Sequence, residues 1–215
     1  MNISYWRGFL KQRGVYSLLY LIWWKGISWL VSFRFAKCNH LMLGGAYQIS
    51  GYRFISIGKL SVGARFRMEA IAFSYDNSFT PVVTIGDKVS FGNDIHIGCL
   101  SEITIGSNVL CGSNIVIMDH DHGCYGNSLG QHSLPNHPPA SRKLVSAPIR
   151  IGDNVHIGEY VIILKGVEIG DGAVIGAGSV VTRSIPANSL AVGNPATVIK
   201  WFDFGEKRWV SGTNA

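Results

Sequence analysis

At 215 residues with 47% hydrophobic side chains, the chain can bury one substantial core, and this composition excludes a disordered polymer. Its 26 glycines are scattered through apolar sequence rather than gathered in one tract, which points to many short elements and a repetitive β architecture. A formal net charge of +6 suits an anionic surface or a phosphorylated ligand; with no zinc-finger spacing and no RNP-type aromatic motif, nucleic acid is not an expected partner.

Residues 1–40 read as a basic, aromatic helical segment. The run from Val15 to Phe35 is dense in Leu, Trp, Tyr and Phe, with Arg7, Lys11, Arg13, Lys25, Arg34 and Lys37 interleaved or flanking. It approaches the length of a membrane span, but Lys25 and Gly26 near its middle make a full crossing costly. Two other placements are open: association with a membrane surface through residues 6–37, or packing on its own domain or a neighbouring subunit. The cysteines Cys38, Cys99, Cys111 and Cys124 show no C-x-x-C spacing, and no cleavable signal sequence opens the chain. A reduced, cytoplasmic setting is expected, at the inner face of the membrane if the segment binds lipid.

From residue 50 to residue 200 the chain is periodic. Ile85-Gly86, Phe91-Gly92 and Ile97-Gly98 recur in steps of six; an eight-residue step leads to Ile105-Gly106 and Cys111-Gly112. The period resumes at Ile151-Gly152 and runs through Ile157, Ile163, Ile169 and Ile175 to Val181, after a weaker start near Ile55 to Val62. Six residues supply one short strand and one turn, with the aliphatic side chain inward and glycine or a small polar residue where the chain bends tightly. Three such units close a coil, and only stacked coils bury a core; four to six coils are expected. Residues 201–215 read as a C-terminal tail.

The period breaks at residues 118–148, a loop rich in His, Pro, Asn, Ser and Gly. A long insertion held at both ends by a regular scaffold is a place to expect chemistry. Asp119, His120, Asp121 and His122 place two imidazoles and two carboxylates where the chain leaves the coil. An imidazole can take a proton from an attacking hydroxyl at neutral pH and return it to a leaving thiolate, and a neighbouring carboxylate can orient it. His132, His137 and His156 read as solvated loop residues.

The [Ile/Val]-Gly-x-x-[Val/Ser]-x repeats resemble the hexapeptide-repeat acyltransferases, and more closely the maltose and galactoside acetyltransferases and their lipopolysaccharide and capsule O-acetyltransferase relatives. The resemblance implies an all-β, left-handed parallel β-helix with an N-terminal helical segment and a long loop inserted between coils. It also implies a homotrimer with its active site between neighbouring subunits, acetyl-CoA as co-substrate and no metal. The run from Ser113 to His122 aligns with the segment ending in the family's catalytic histidine, which assigns that role to His122, with His120 as competitor; Asp119, Asp121 or a main-chain carbonyl are the candidate orienting groups. The segments Pro148–Arg183 and Val192–Lys200 follow the family's CoA-binding coils, implying contacts from Gly158, Glu159, Ala177, Thr182, Arg183, Thr197 and Lys200. Thr197 stands where some relatives carry a basic residue. Asn93 and Asp94 fall where sugar acetyltransferases hold a substrate hydroxyl, or they satisfy a turn.

The implied activity is O-acetylation of a sugar hydroxyl in a surface polysaccharide, on a free sugar or a lipid-linked glycan. N-acetylation of a nucleotide-linked amino sugar would use the same base and groove. A zinc hydratase of the γ-carbonic anhydrase type would need His96, His120 and His122 together, and a non-catalytic trimeric scaffold would need none of them.

Overall fold

The computed structural model describes residues 3–74, 77–125 and 132–212, with side chains from Val15 onward. Residues 126–131 of the expected loop and 213–215 of the expected tail lie outside the described residues. Three faces of parallel strands wind into six coils. The third face is a six-stranded parallel sheet of Tyr47–Ser50, Phe66–Ala70, Ile95–Cys99, Ile115–Met118, Ile162–Leu164 and Val180–Val181. The first and second faces are continuous at one end, because Ile55–Val62 runs through their shared corner and pairs on both sides of it.

Register is what turns a repeat into a core. On the first face Ile57, Ile85, Ile105, Ile151 and Ile169 stack in one column. On the third face Met68, Ile97, Ile117, Ile163 and Val181 do the same. Every member of both columns is 2% exposed or less. The glycine after each aliphatic serves the close packing of coils, and the tight bend falls mostly to the small polar residues also expected there. A Cβ on Gly106 would lie 2.7 Å from the backbone of Gly152 in the next coil, so glycine there permits the close approach of successive coils. The left-handed backbone falls two residues later, at Lys88 (φ 58°), Asn108 (φ 57°), Asn154 (φ 58°) and their equivalents, where Asn and Asp tolerate it best.

The residues that the coils carry beyond three hexapeptides leave at one corner, the one that follows the third face. Residues 71–81 leave there after the second coil, Leu100 and Ser101 after the third, and residues 119–148 after the fourth. Three neighbouring coils thus shed their extra residues on the same edge. The two-residue excursion accounts for the eight-residue step in the sequence.

The N-terminal helix, Ile3–Ser32, closes the open end of the first coil. Val31 and Phe35 are buried in the core, with Trp24 and Ile27 packed against it. The edge strand Lys37–Leu43 would otherwise present unpaired groups to water. Instead the Leu43 N–H donates to Ser28 Oγ at 2.8 Å, and the Tyr20 hydroxyl donates to the Gly44 carbonyl at 2.7 Å. Among the described residues no helix is long and apolar enough to cross a membrane. At the other end the segment expected as a tail continues the sheet: Ala196–Asp203 pairs antiparallel with Ser189–Gly193, and Arg208–Ser211 pairs with it in turn. Phe202 anchors that ribbon between Phe204 and Trp209, ring centroids 5.0 and 5.4 Å away.

Truncating a column residue should leave a cavity that rigid neighbouring coils cannot fill. Ile151→Ala is expected to cost about 2–5 kcal/mol, measured from the urea midpoint, whereas Val82→Ala at a half-exposed outer position should cost less than about 0.5 kcal/mol.

Candidate active site

The edge that collects the insertions also carries the histidines. After Met118 the chain turns away from the coil, and His120–His122 pairs antiparallel with Leu144–Ser146 as a projecting hairpin, His122 opposite Leu144. Ala147 N–H donates to the Asp119 carbonyl at 2.9 Å, which returns the loop to the coil it left.

Asp119 is fully buried, and its carboxylate organises the corner. It accepts from the backbone N–H groups of Leu100 (2.7 Å), Ser101 (2.7 Å) and Glu102 (3.0 Å) and from the Ser101 hydroxyl (3.1 Å). The two extra residues of the third coil are thus tied to the fourth coil by one side chain. His120 Nδ1 lies 3.0 Å from Asp119 Oδ1; since a carboxylate only accepts, Nδ1 carries the proton of that contact. Burial pushes the Asp119 carboxyl up, but the His120 imidazole, the Ser101 and Leu100 N–H groups and the Ser101 hydroxyl outweigh it and hold the group below its ordinary value.

The two histidines therefore differ. The His120 side chain is 9% exposed and committed to Asp119. His122 is exposed, and its imidazole has no hydrogen-bond partner among the described residues. Neither neighbouring carboxylate orients it: Asp119 holds His120, and Asp121 pairs with Lys165 from the next coil. The backbone of His122 is held instead. The Tyr125 hydroxyl donates to its carbonyl at 2.5 Å, and Arg142 Nη1 donates to the Tyr125 oxygen at 2.7 Å. Arg142 also binds the His137 carbonyl through Nη2 at 2.8 Å, so one guanidinium braces both limbs of the loop. Gly123, at φ 121°, has no room for a Cβ beside Tyr125 and Ser133. None of these supports carried a signal in the sequence, because each depends on residues 3 to 44 positions apart meeting across the loop. A cleft of about 650 Å³ lies beside the hairpin, between Ser74, Asn77 and Phe79 of the first insertion and Pro138–Leu144 of the second.

The remaining expected residues divide between the two edges of the third face. Thr182 and Arg183 lie on the same edge as the His122 hairpin, two coils further along. Gly158, Glu159 and Ala177 stack on the opposite edge, where the Gly178 N–H donates to the Glu159 carbonyl at 2.8 Å. Thr197 pairs with Val192 beside that edge, and Lys200 pairs with Leu190 on the second face. Asn93 and Asp94 also lie on this opposite edge, in turn roles: Asn93 Oδ1 accepts from the Ala64 N–H at 2.8 Å, and Asp94 binds Arg65 through both oxygens at 2.5 Å. That ion pair holds the Asp94 carboxyl below its ordinary value. A strand of the third face separates the two edges by about 15 Å at ~3.3 Å per residue, so one chain does not bring His122 to Asn93, Asp94 or Glu159.

The metal alternative meets different geometry. His96 Nε2 lies 3.2 Å from Glu69 Oε2, and His120 is held by Asp119. No group of three or more His, Cys, Asp or Glu side chains among the described residues could hold a metal ion. His132 and His137 are exposed on the loop, while His156 stands on a second-face strand with its side chain outward rather than in a loop.

Asp119→Asn replaces one acceptor oxygen by a donor that faces backbone N–H groups. It is expected to cost about 1–3 kcal/mol, measured by chemical denaturation. Because folding depresses this carboxyl, its contribution is complete above the unfolded value near ~3.9 and is lost as pH falls through the lower folded value. The midpoint difference between wild type and Asp119→Asn should therefore be constant at neutral pH and narrow below about pH 4.

Residues 148–183 match the family described as bacterial transferase hexapeptide (six repeats). An Escherichia coli K12 protein named as a lipopolysaccharide biosynthesis O-acetyl transferase, WbbJ, is 37% identical over 152 residues, covering 71% of this chain and 76% of that one. The galactoside O-acetyltransferase of the same organism is 36% identical over 132 residues, covering 56% of this chain and 60% of the relative. Among solved structures, a maltose O-acetyltransferase from Clostridium difficile 630 superposes with a TM-score of 0.55 at 28% identity, covering 81% of this chain and 73% of that one. Repeat, coil register and kinship agree: the fold is the left-handed parallel β-helix, and the chain belongs to the hexapeptide-repeat acetyltransferase family.

Proposed function

We propose that the protein transfers an acetyl group from acetyl-CoA to a sugar hydroxyl of a surface-polysaccharide precursor, with His122 as general base. The observation that carries this reading is the contrast between the two histidines. His120 is buried against a carboxylate, whereas His122 offers a free imidazole on a hairpin whose backbone is braced by Tyr125 and Arg142. The imidazole removes the acceptor proton as the hydroxyl oxygen attacks the thioester carbonyl carbon. A C–O bond forms, the C–S bond breaks, and the thiolate of CoA leaves with the proton returned from His122. The names of the relatives favour a sugar acceptor.

For the donor, exposed Arg183 and half-exposed Lys200 are cations without an ion-pair partner among the described residues, suited to the phosphates of CoA. Thr197 contributes a hydroxyl and no charge, so phosphate binding rests on these two. Gly158 and Ala177 keep the opposite coil edge low enough for a pantetheine arm. Its distance from His122 within one chain supports a homotrimer in which the His122 edge of one protomer faces the Glu159 and Ala177 edge of its neighbour. The reaction then runs in the cytoplasm, where acetyl-CoA is made.

With a panel of sugars, lipid-linked glycans and nucleotide-linked amino sugars, acceptor-dependent CoA release is expected from the wild type. His122→Ala should lower kcat by about 10²–10⁴-fold with CoA binding retained. Full activity in His122→Ala, or release only with amino-sugar acceptors, would overturn the corresponding part of the reading. Subunit sharing has its own test: co-expressed His122→Ala and Ala177→Trp chains, each inactive alone, should recover about a quarter of the wild-type activity in randomly mixed trimers. No recovery would place both edges' functions within one protomer.

A further inference from the structure

The N-terminal helix turns Trp24, Ile27, Ser28 and Val31 toward the first coil. At about 100° per residue, the opposite arc carries Leu19, Ile22, Trp23, Trp29 and Leu30, and Phe33 just past the helix end stacks edge-on against Trp29; all six are between 56% and 67% exposed. Gly26 lies among them, and from Val15 to Arg34 no charged residue falls inside the arc; Lys25 and Arg34, both exposed, border it. The helix is therefore apolar on both sides, with only one side covered by its own domain. Scattered apolar side chains are ordinary on a protein surface, but a continuous aromatic and aliphatic face of this size is not.

Charge supplies the second, independent observation. Residues 1–68 contain ten Lys and Arg and no Asp or Glu, while residues 69–215 contain nine cations and thirteen acids. The chain is thus strongly polarised along its sequence, net +10 over residues 1–68 and net −4 over the remainder; of the ten cations, Arg65 and Arg67 pair with Asp94 and Glu69.

We propose that this pole docks on an anionic lipid surface, with the helix lying in the plane of the headgroups. The outer arc enters the headgroup and acyl boundary, where indole rings are favoured, and Lys25, Arg34 and exposed Lys37 reach lipid phosphates. A second copy meeting the same pole would oppose its excess of positive charge with a like excess, which disfavours self-association through this face. Resting on the sugar acetyltransferase reading, the docking also defines the acceptor. The His122 hairpin leaves the fourth coil, three strand spacings or about 14 Å from the first at ~4.8 Å each. A glycan still anchored to the bilayer by a lipid could present its hydroxyl there.

The test uses the full chain and sedimentation with vesicles of phosphatidylcholine alone or with about 30% phosphatidylglycerol. Binding is expected to be at least about tenfold tighter to the anionic vesicles and to weaken as salt screens the cations. The double variant Trp23→Glu, Leu30→Glu should lose binding while keeping its melting temperature and its rate on a soluble acceptor; Lys25→Gln should weaken binding with no change of oligomeric state. Absence of vesicle binding by the wild type would overturn the proposal. So would a double variant that still binds vesicles but shifts to a smaller species in light scattering, since the arc would then be a subunit contact. Should His122→Ala remain active while vesicle binding persists, the docking surface stands and the acceptor assignment falls.

Discussion

Everything in this molecule depends on the unbroken register between successive coils. Each aliphatic of a column rests on its equivalent in the coil below, and the glycine beside it lets the backbones approach closely enough for that contact. An extra residue inside a strand would turn its inward side chain to solvent, so additional residues can enter only at corners. Three consecutive coils place theirs on the same corner. The scaffold's intolerance of irregularity is what concentrates irregular chain, with the candidate histidines, on one edge.

Asp119 links that scaffold to the hairpin. Buried without its partners it would be a costly charge; with three backbone N–H groups, a hydroxyl and an imidazole around it, it becomes a rigid joint between the third and fourth coils. The joint also separates the roles of two neighbouring histidines. One is consumed in satisfying the carboxylate, and the other, two residues on, is carried clear of it by the roughly 6–7 Å that two residues of extended strand advance. Lys165, Tyr125 and Arg142 then fix the hairpin from the next coil and from the loop's far limb.

The two ends of the solenoid solve the edge-strand problem differently. A helix covers the first coil and satisfies its exposed backbone groups through Ser28 and Tyr20. At the C-terminal end an antiparallel ribbon extends the sheet and packs half-buried Phe202 against aromatic neighbours. The helical solution leaves an apolar arc facing outward at the most basic part of the chain.

The sequence by itself determined the stacked-coil architecture, because a six-residue period with a fixed inward phase calls for stacked coils, with the left hand supplied by kinship; it also located the loop, because the period breaks at Met118 and resumes at Ile151. It also singled out the Asp119–His122 cluster through kinship and position. It could not rank His120 against His122 on physical grounds, since their difference lies in a hydrogen bond to a carboxylate whose other partners sit about twenty residues upstream. Nor could it separate Asn93 and Asp94 from His122, because an edge is a property of the coil, visible only once strands are laid side by side. The hydrophobic N-terminal run was legible as a helix with several possible fates. Tertiary packing decided that one face covers the first coil, because only there do unpaired strand groups meet its Ser28 and Tyr20.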